Sequence, residues 1–366
     1  MIEFGEGNLL HAQVDALVNT VNTVGVMGKG VALQFKQAFP ANYEAYQQAC
    51  ERNEVRIGSM FVWDSHRRGP RRYVINFPTK RHWRSKSRIE DIDAGLQDLV
   101  RVVKELGLTS LAVPALGCGN GGLDWSDVLP RIESALGPLP ARVIVYAPVG
   151  APQATDMPIG TERPPMSLGR AALLAVIARY ARGAMNQRLD LVRPGASLLE
   201  IQKLTYLLQV AGLPLRLRYA KGKYGPYADD LNPILQAMEG HHLRGYGDRS
   251  TAILRLDPIE LLPDAEDEAV AWLHTRPAAQ AAVERVLTLT SGWEDPYSVE
   301  LLATVLYAAR SHRDAATDPN VAADYVHQWN ARKQATFPVD HVTKAWQRLR
   351  DQGWFAGNST TPEGRA

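Results

Sequence analysis

Residues 16–31 read ALVNTVNTVGVMGKGV and decide the fold class of the first part of the chain. Ala16–Asn19 is a short apolar run, which predicts a strand that ends in polar residues. The glycine-rich stretch Gly25–Gly30 follows, and residues Gly30–Glu51 then have helical spacing with a bend at Pro40. A strand, a loop and a helix in this order are typical of an α/β fold.

The same alternation continues through residue 150. It predicts a mixed sheet sandwiched by helices over residues 1–150. Further strands are predicted at Ser59–Trp63, Tyr73–Phe77, Leu111–Ala115 and Arg142–Ala147, and further helices at Ile89–Leu106 and Ser126–Leu136.

Residues 151–167 are proline-rich and are predicted to form a linker. Residues 168–366 are predicted to form a second, mainly α-helical domain, with a frayed tail after Phe355. Its predicted helices are Leu168–Ala184, Leu198–Ala211, Asn232–Met238, Asp264–Leu273, Ala278–Leu289, Ser298–Ala309, Asn320–Ala331 and Pro338–Gln352. Strand signals occur at Arg216–Tyr219 and Ile253–Leu256.

The bulk composition is that of a globular protein of two domains, with 366 residues, 45% of them hydrophobic. The net charge is only +2, so binding of nucleic acid would need a local basic patch. Two cysteines, the lack of a visible secretory signal and the lack of a long apolar run predict a cytoplasmic protein without a membrane partner. No histidine or cysteine pattern fits a metal ion, and no cofactor is expected.

A second glycine-rich loop, Gly117–Gly122, follows the predicted strand LAVPA at 111–115. In an open α/β sheet, ligands bind beyond the carboxyl ends of the strands, and glycine lets backbone N–H groups approach a phosphate closely. The two loops therefore predict a clamp for a diphosphate. Neither matches the dinucleotide fingerprint or the P-loop spacing, which argues against hydride transfer and NTP hydrolysis. Of the two nearby amides, Asn22 is expected to bond a sugar hydroxyl and Asn19 to hold the loop through an Asx-turn.

Five segments together resemble a macrodomain, and more narrowly the branch that removes ADP-ribose from macromolecules with a lysine. They are GNLL at 7–10, LVNTVN at 17–22, GVMGKGVALQFK at 25–36, VINFPTKRHWR at 74–84 and PALGCGNGGLDW at 114–125. Within that branch the whole chain resembles the antitoxins of DarT–DarG systems. The resemblance implies an enzyme that hydrolyses the N-glycosidic bond between ADP-ribose and thymidine in single-stranded DNA.

The resemblance also implies site residues. Lys80 matches the catalytic lysine, and Asn22 would contact the ribose that carries the scissile bond. The residues implied to bind ADP-ribose are Asn8, Leu9, Asn22, Gly28, Lys29, Gly30, Val31, Thr79, Leu116, Gly117, Cys118, Gly119, Asn120, Gly121 and Gly122. Some relatives pair the lysine with an aspartate in the second loop, but GCGNGG has no carboxylate before Asp124, which is expected to cap the next helix.

Lys80 suits this chemistry on physical grounds as well. Cleavage of a ribosyl bond passes through an oxocarbenium-like transition state, and a lysine whose pKa is lowered can attack the anomeric carbon. Arg81, His82 and Arg84 follow it directly and are expected to lower that pKa. Two roles stay open: a covalent adduct on Lys80, or Lys80 as general acid or electrostatic stabiliser.

The stretch from Arg67 to Arg88 is dense in cations, and no acidic residue lies between Asp64 and Glu90. It also contains aromatic rings, as a groove for single-stranded nucleic acid requires. We therefore predict DNA binding by Arg81, His82, Trp83 and Arg84, with a thymidine stacked on Trp83.

The second domain contains KLTY at 203–206 and YGP at 224–226 and resembles antitoxin domains of the Panacea type. The resemblance implies a DarT-type toxin as partner, and Tyr219, Tyr224, Tyr227 and Tyr246 would give contact area. A non-catalytic reader of ADP-ribose is the alternative to the enzyme, and a regulatory RNA-binding protein is a third class.

Overall fold

The computed structural model describes residues 1–148, 150, 152–187, 195–249 and 258–355. Contacts divide the chain into two compact units. The first contains Met1–Glu162 and a short later segment that begins at Gly247, and the second begins at Arg163. No helix in the described part of the chain combines the length and the apolar composition that a membrane span requires.

A six-stranded mixed sheet lies within residues 2–146, in the order β1-β6-β5-β2-β4-β3. The strands are β1 Ile2–Gly5, β2 Ala16–Asn22, β3 Phe61–Asp64, β4 Tyr73–Lys80, β5 Ser110–Pro114 and β6 Arg142–Tyr146. β3 is antiparallel to β4, and the other neighbours are parallel. The predicted mixed sheet is confirmed, although the short strand β1 was not predicted.

Four helices of the first unit cover the sheet: α1 Gly30–Ala38, α2 Pro40–Glu51, α3 Ile89–Glu105 and α4 Trp125–Leu136. The predicted bend at Pro40 is a break between α1 and α2, because proline suits the first turn of a helix but not its interior. α4 begins after Asp124, whose side chain makes no capping hydrogen bond, so the predicted cap is only positional.

Alternate residues of the strands enter two separate cores, as the period of a β-strand requires. Leu17, Val74 and Ile144 pack with Phe35 of α1 on one face. On the other face, strand residues pack with α3 and α4; these include Ala16, Val18, Ile75, Phe77, Leu111, Val113, Val143 and Val145. α3 can approach the sheet closely because residue 95 is a glycine. A Cβ at this position would lie 2.2 Å from the Phe77 ring.

Chain from well beyond the sheet also belongs to the first unit. Gly30 N–H, at the start of α1, donates to the carbonyl oxygen of Asp248 at 2.8 Å. Gln34 Nε2 donates to Asp248 Oδ2 at 2.7 Å, and Asp248 is buried. Within the predicted linker, Gly160 N–H donates to the Gln37 carbonyl at 2.8 Å. The boundaries 1–150, 151–167 and 168–366 stay predictions.

The described part of the second unit is mainly helical, as predicted, around one large apolar core. Its helices are α5 Leu168–Gln187, α6 Leu198–Val210, α7 Leu231–Met238, α8 Ala265–Leu273, α9 Pro277–Thr290, α10 Pro296–Ser311, α11 Pro319–His327, α12 Ala331–Thr336 and α13 Val339–Asp351. Its strands are β7 Gly195–Ala196, β8 Ala220–Gly222, β9 Gly225–Tyr227, β10 Leu243–Arg244 and β11 Ile259–Leu261.

Two predictions for this unit were wrong. Arg216–Tyr219 is not a strand, because Arg216 has a left-handed φ of 57° and pairing begins only at Ala220. The helix predicted at 320–331 ends at His327, and α12 follows as a separate helix. The strand predicted at Ile253–Leu256 and the tail after Phe355 lie outside the described residues.

Candidate active site

Three loops meet at one edge of the sheet because β4, β2 and β5 are adjacent and parallel. Their carboxyl ends continue into residues 81–88, 23–29 and 115–124. The loop after β2 therefore lies between the loop that follows Lys80 and the second glycine-rich loop. This is the edge at which the sequence predicts that a diphosphate binds.

A β-bulge sets the position of Lys80. Val21 pairs with Pro78, but the register shifts at the next step, so Asn22 pairs with Lys80 and Thr79 is the extra residue. Thr79 Oγ1 donates to the Val21 carbonyl oxygen at 3.3 Å. A bulge re-aims the side chains that follow it. Here it brings Lys80, rather than Thr79, opposite Asn22.

Asn22 holds the first glycine-rich loop. Its Oδ1 accepts from the N–H groups of Val24 at 3.0 Å and Val26 at 3.3 Å, and its Nδ2 donates to the Val26 carbonyl at 2.5 Å. The buried Tyr46 hydroxyl donates to the Asn22 carbonyl at 2.6 Å. The Asx-turn role expected for Asn19 thus belongs to Asn22; that expectation for Asn19 was wrong, since its amide donates to Asn76 Oδ1 at 3.0 Å between neighbouring strands.

The Lys80 ammonium donates a hydrogen bond to the main-chain carbonyl of Asn120 in the second loop. Partial burial lowers the pKa of Lys80 below its usual range. The contribution expected from its cationic neighbours was wrong. Arg81 instead forms a bidentate pair with Asp91 in the first turn of α3, at 2.6 and 3.0 Å. Asn120, not a carboxylate, is therefore the partner of the candidate catalytic amine.

The second loop has a tight backbone that only glycine permits at two points. Gly117 has a φ of 73°, and a Cβ on Gly121 would lie 2.1 Å from the Gly117 carbonyl oxygen and 2.4 Å from Ser87 Oγ. Within the described residues, the N–H groups of Gly119, Asn120 and Gly121 donate to no backbone carbonyl. These three donors can receive an anion.

The side chains of Ser87, next to this loop, and of Asn120, within it, have positions that sequence reasoning did not predict. Ser87 Oγ is buried and has no hydrogen-bond partner among the described residues, although its N–H donates to the Gly121 carbonyl. The side chain of Asn120 reaches α1, since a Cβ on Gly30 would lie 3.2 Å from its Nδ2. Asn120 thus lies beside both Lys80 and the first loop.

Burial and the charge of Asp124 raise the pKa of the Cys118 thiol to about 11. The thiol is protonated at neutral pH and is no nucleophile.

Leu116 is fully buried, so only its backbone faces the loop. Lys29 precedes α1 as an exposed residue without a capping hydrogen bond, beside Gly28 and Val31.

The cation-rich stretch is divided between two edges of the sheet. The turn before β4 carries Arg67, Arg68 and Arg72, whereas Lys80 ends that strand, and eight residues span about 26 Å. Strand β4 therefore separates the cations at the two ends of the Arg67–Arg88 stretch, and DNA binding by Arg81, His82, Trp83 and Arg84 stays a prediction. Of this stretch, only residues 81–88 follow Lys80 at the same edge of the sheet. There the Trp83 side chain is 47% exposed, stacks on His82 and lies under the Arg84 guanidinium at 4.5 Å.

The remaining predicted contacts lie near the carboxyl ends of β1 and β6. Asn8 caps a 3-10 turn, Leu9–His11, by accepting from the Leu10 N–H at 2.9 Å, and its Nδ2 donates to the Asp156 carbonyl at 2.6 Å. Asn8 lines a cavity of about 220 Å³. The other lining residues are Glu6, His11, Ala12, Tyr146 and Asp156. Leu9 is buried in the core.

Comparison with known proteins adds two findings. The family model described as Macro domain matches residues 18–132. A Thermus aquaticus protein named DNA ADP-ribosyl glycohydrolase is 47% identical over 354 residues, 96% of this chain and 94% of the relative. The chain belongs to the DNA ADP-ribosyl glycohydrolase family.

Other relatives agree with this family. A Mycobacterium tuberculosis DNA ADP-ribosyl glycohydrolase is 45% identical over 95% of this chain and 99% of its own length. A Thermosipho africanus DNA ADP-ribosyl transferase-DNA ADP-ribosyl glycohydrolase fusion protein is 38% identical over 159 residues, 39% of this chain and 41% of the relative. The DNA ADP-ribosyl glycohydrolase resemblance thus covers both units of the chain.

In this member of the DNA ADP-ribosyl glycohydrolase family, the KLTY and YGP segments are mostly internal. The buried Lys203 donates to the Pro226 carbonyl at 2.8 Å, and burial with the charge of Lys333 lowers its pKa to about 7. The four tyrosines differ in exposure. Tyr246 is fully buried, which corrects its expected contact role, and Tyr219, Tyr224 and Tyr227 are partly buried.

Proposed function

We propose that this chain removes ADP-ribose from thymidine in single-stranded DNA by hydrolysing the N-glycosidic bond, with Lys80 as the catalytic residue. The observation that carries the proposal is the position of Lys80, which pairs with Asn22 before the first glycine-rich loop and whose amine, with a lowered pKa, contacts the second loop at Asn120. The names of the long relatives support the substrate class.

The proposed ADP-ribose site follows the three loops. The diphosphate would take the N–H groups of Gly119, Asn120 and Gly121, and the adenine end would lie toward Asn8. The Gly28–Val31 turn would border the distal ribose. Asn22 keeps one Nδ2 hydrogen that donates to no described residue, and this hydrogen can reach a sugar hydroxyl.

In the proposed reaction the neutral Lys80 amine attacks the anomeric carbon. The new C–N bond forms as the bond to the base nitrogen breaks, and the base takes the electron pair and a proton from water. The hydroxide left by that proton transfer then attacks the same carbon, the bond to the Lys80 nitrogen breaks, and ADP-ribose and the free amine are released. The hydrogen bond to the Asn120 carbonyl uses an N–H of Lys80 and leaves the lone pair of the neutral amine free for the attack.

The test is incubation of the full chain with an ADP-ribosylated single-stranded thymidine oligonucleotide. We expect release by the wild type and none by Lys80→Ala, with equal affinity of both for ADP-ribose by calorimetry. No release by either protein, with retained affinity for ADP-ribose, would make the chain a reader of the modification rather than an enzyme.

The proposed DNA contacts are His82, Trp83 and Arg84, which are exposed beside Lys80. A base can stack on an aromatic ring while cations meet the strand's phosphates. The guanidinium of Arg81 is already paired with Asp91, so for Arg81 we propose only a contact at the edge of the strand.

The second unit is proposed to bind a DarT-type toxin. The fusion relative supports a functional link, since its name joins a DNA ADP-ribosyl transferase to a glycohydrolase. Binding of the full chain to the purified transferase, with variants of exposed residues on the second unit, measures this directly.

A further inference from the structure

Exposed apolar side chains gather in the loops beside Lys80. Val24 is 45% exposed and Val26 38%, and Trp83 in the adjacent loop is 47% exposed. Isolated exposed valines need no explanation. These two are held outward by a loop whose N–H groups are fixed by Asn22, which is itself held by Tyr46.

The two loops are joined to one another. Thr23 Oγ1 donates to the Arg81 carbonyl at 2.7 Å, so the residue before Val24 is bonded close to Trp83. Within the first glycine-rich loop, the Val26 side chain lies beside Gly28, since its Cγ1 would be 3.6 Å from a Cβ on Gly28. The apolar groups therefore adjoin both Lys80 and the turn proposed to hold the ribose.

The charge of the two loops indicates which class of ligand binds this surface. Residues 22–31 and 79–88 contain no acidic residue, and Arg84, Lys86 and Arg88 are exposed. An apolar surface on two loops that carry cations and no acidic residue fits an unpaired base on a phosphate backbone better than an apolar face of a protein.

We propose that Val24, Val26 and Trp83 form the surface that receives the base of the modified nucleotide, with the valines against the C5-methyl group of thymine. The inference rests on the proposed function. Apolar contact is the means by which proteins distinguish the thymine methyl group. The surface orients the leaving base and makes the enzyme prefer thymidine to deoxyuridine.

The experiment compares Val24→Ser/Val26→Ser with Val270→Ser/Val339→Ser, a control pair in the second unit in which each valine is 47% exposed. Both act on synthetic ADP-ribosylated oligonucleotides that contain either thymidine or deoxyuridine. We expect the wild type and the control to prefer thymidine by about fourfold in kcat/KM, the value of one buried methyl group. The Val24/Val26 variant should lose this preference and about tenfold in rate on thymidine, since two apolar contacts are removed.

Affinity for free ADP-ribose and thermal unfolding check that the variant is folded, and Val24→Ser alone serves if the double variant is not. Full retention of rate and preference by the variant would overturn the base surface, and so would lost toxin binding with unchanged release, which assigns the surface to a protein. No release by the wild type from either oligonucleotide refutes the proposed function itself.

Discussion

At the scale of single residues, the site depends on the partner of one amine. Lys80 donates to a main-chain carbonyl, and burial lowers its pKa. A carboxylate partner would favour the ammonium form and raise the pKa. The loop sequence GCGNGG, with a carbonyl rather than an aspartate at this place, therefore keeps the neutral amine accessible at a lower pH.

The pH dependence of release distinguishes the two roles of Lys80. We expect kcat/KM to rise with pH and level off above the lowered pKa, because the neutral form is the nucleophile in the proposed reaction. Lys80→Arg keeps the charge but stays protonated, so release should fall by about 100-fold or more. A rate that falls with rising pH would assign Lys80 as the general acid, and an active Lys80→Arg variant would assign it as an electrostatic stabiliser, since arginine keeps its proton.

The sequence was sufficient to place Lys80 and the two glycine-rich loops at one edge of the sheet because strand ends and glycines leave local signals, whereas the catalytic role of Lys80 stays a prediction. It was insufficient for Asn19, whose expected turn role belongs to Asn22. Both are amides near one strand end, and only the bulge and Tyr46 decide which of them faces the loop. Contacts between distant residues, such as that of Ser87 with Gly121, leave no periodic signal.

At the scale of elements, the segment after β4 is anchored to α3. Arg81 and Asp91 form a pair in which the Asp91 carboxylate is 9% exposed and the Arg81 side chain 57%. The pair fixes residues 81–88 against the first turn of α3. Arg81 thus contributes to the position of Trp83, although its guanidinium is engaged.

We expect Asp91→Asn to slow release from oligonucleotide by about tenfold, because the bidentate charge-assisted pair with Arg81 is lost and the segment loosens. The matched control is Asp93→Asn on the same helix, whose partner Arg131 lies at 3.0 Å on the surface. Release rates and unfolding curves measure both. Equal behaviour of the two variants would contradict a positioning role of Arg81.

The positions of the cations in the Arg67–Arg88 stretch depend on the order of the structural elements and cannot be read from composition. Its cations are continuous in sequence, but β4 runs through the middle and separates them by its own length. Once Tyr73–Phe77 is recognised as a strand, the same division can be inferred from sequence, since a strand places its two ends at opposite edges of the sheet.

At the scale of the whole molecule, each unit has a core of its own. The second unit contains a buried cluster in which Glu300 accepts from Lys333 at 2.5 Å and from Arg332 at 2.6 Å. Thr304 also accepts from Lys333, at 2.9 Å. The helical content of this unit follows from sequence spacing, but three interacting charges from α10 and α12 do not.

Glu300→Gln should lower the free energy of unfolding by about 3–5 kcal/mol, because two cations lose their buried carboxylate. Glu284→Gln breaks a surface pair with Arg179, in which the side chains are 57% and 40% exposed, and should cost less than about 1 kcal/mol. Chemical denaturation of the full chain followed by tryptophan fluorescence gives both values. Similar losses in the two variants would show that the cluster is not the stabilising contact it resembles.

The hydrogen bond from Gly30 to Asp248 has a consequence for how this protein is divided. A fragment that stops at Glu162 lacks that acceptor, and the first N–H of α1 then meets solvent beside the turn proposed to border the ribose. A fusion protein that contains only this fragment would lack the same hydrogen-bond acceptor. Fragment studies therefore gain from supplying residues 247–249 in trans as a peptide.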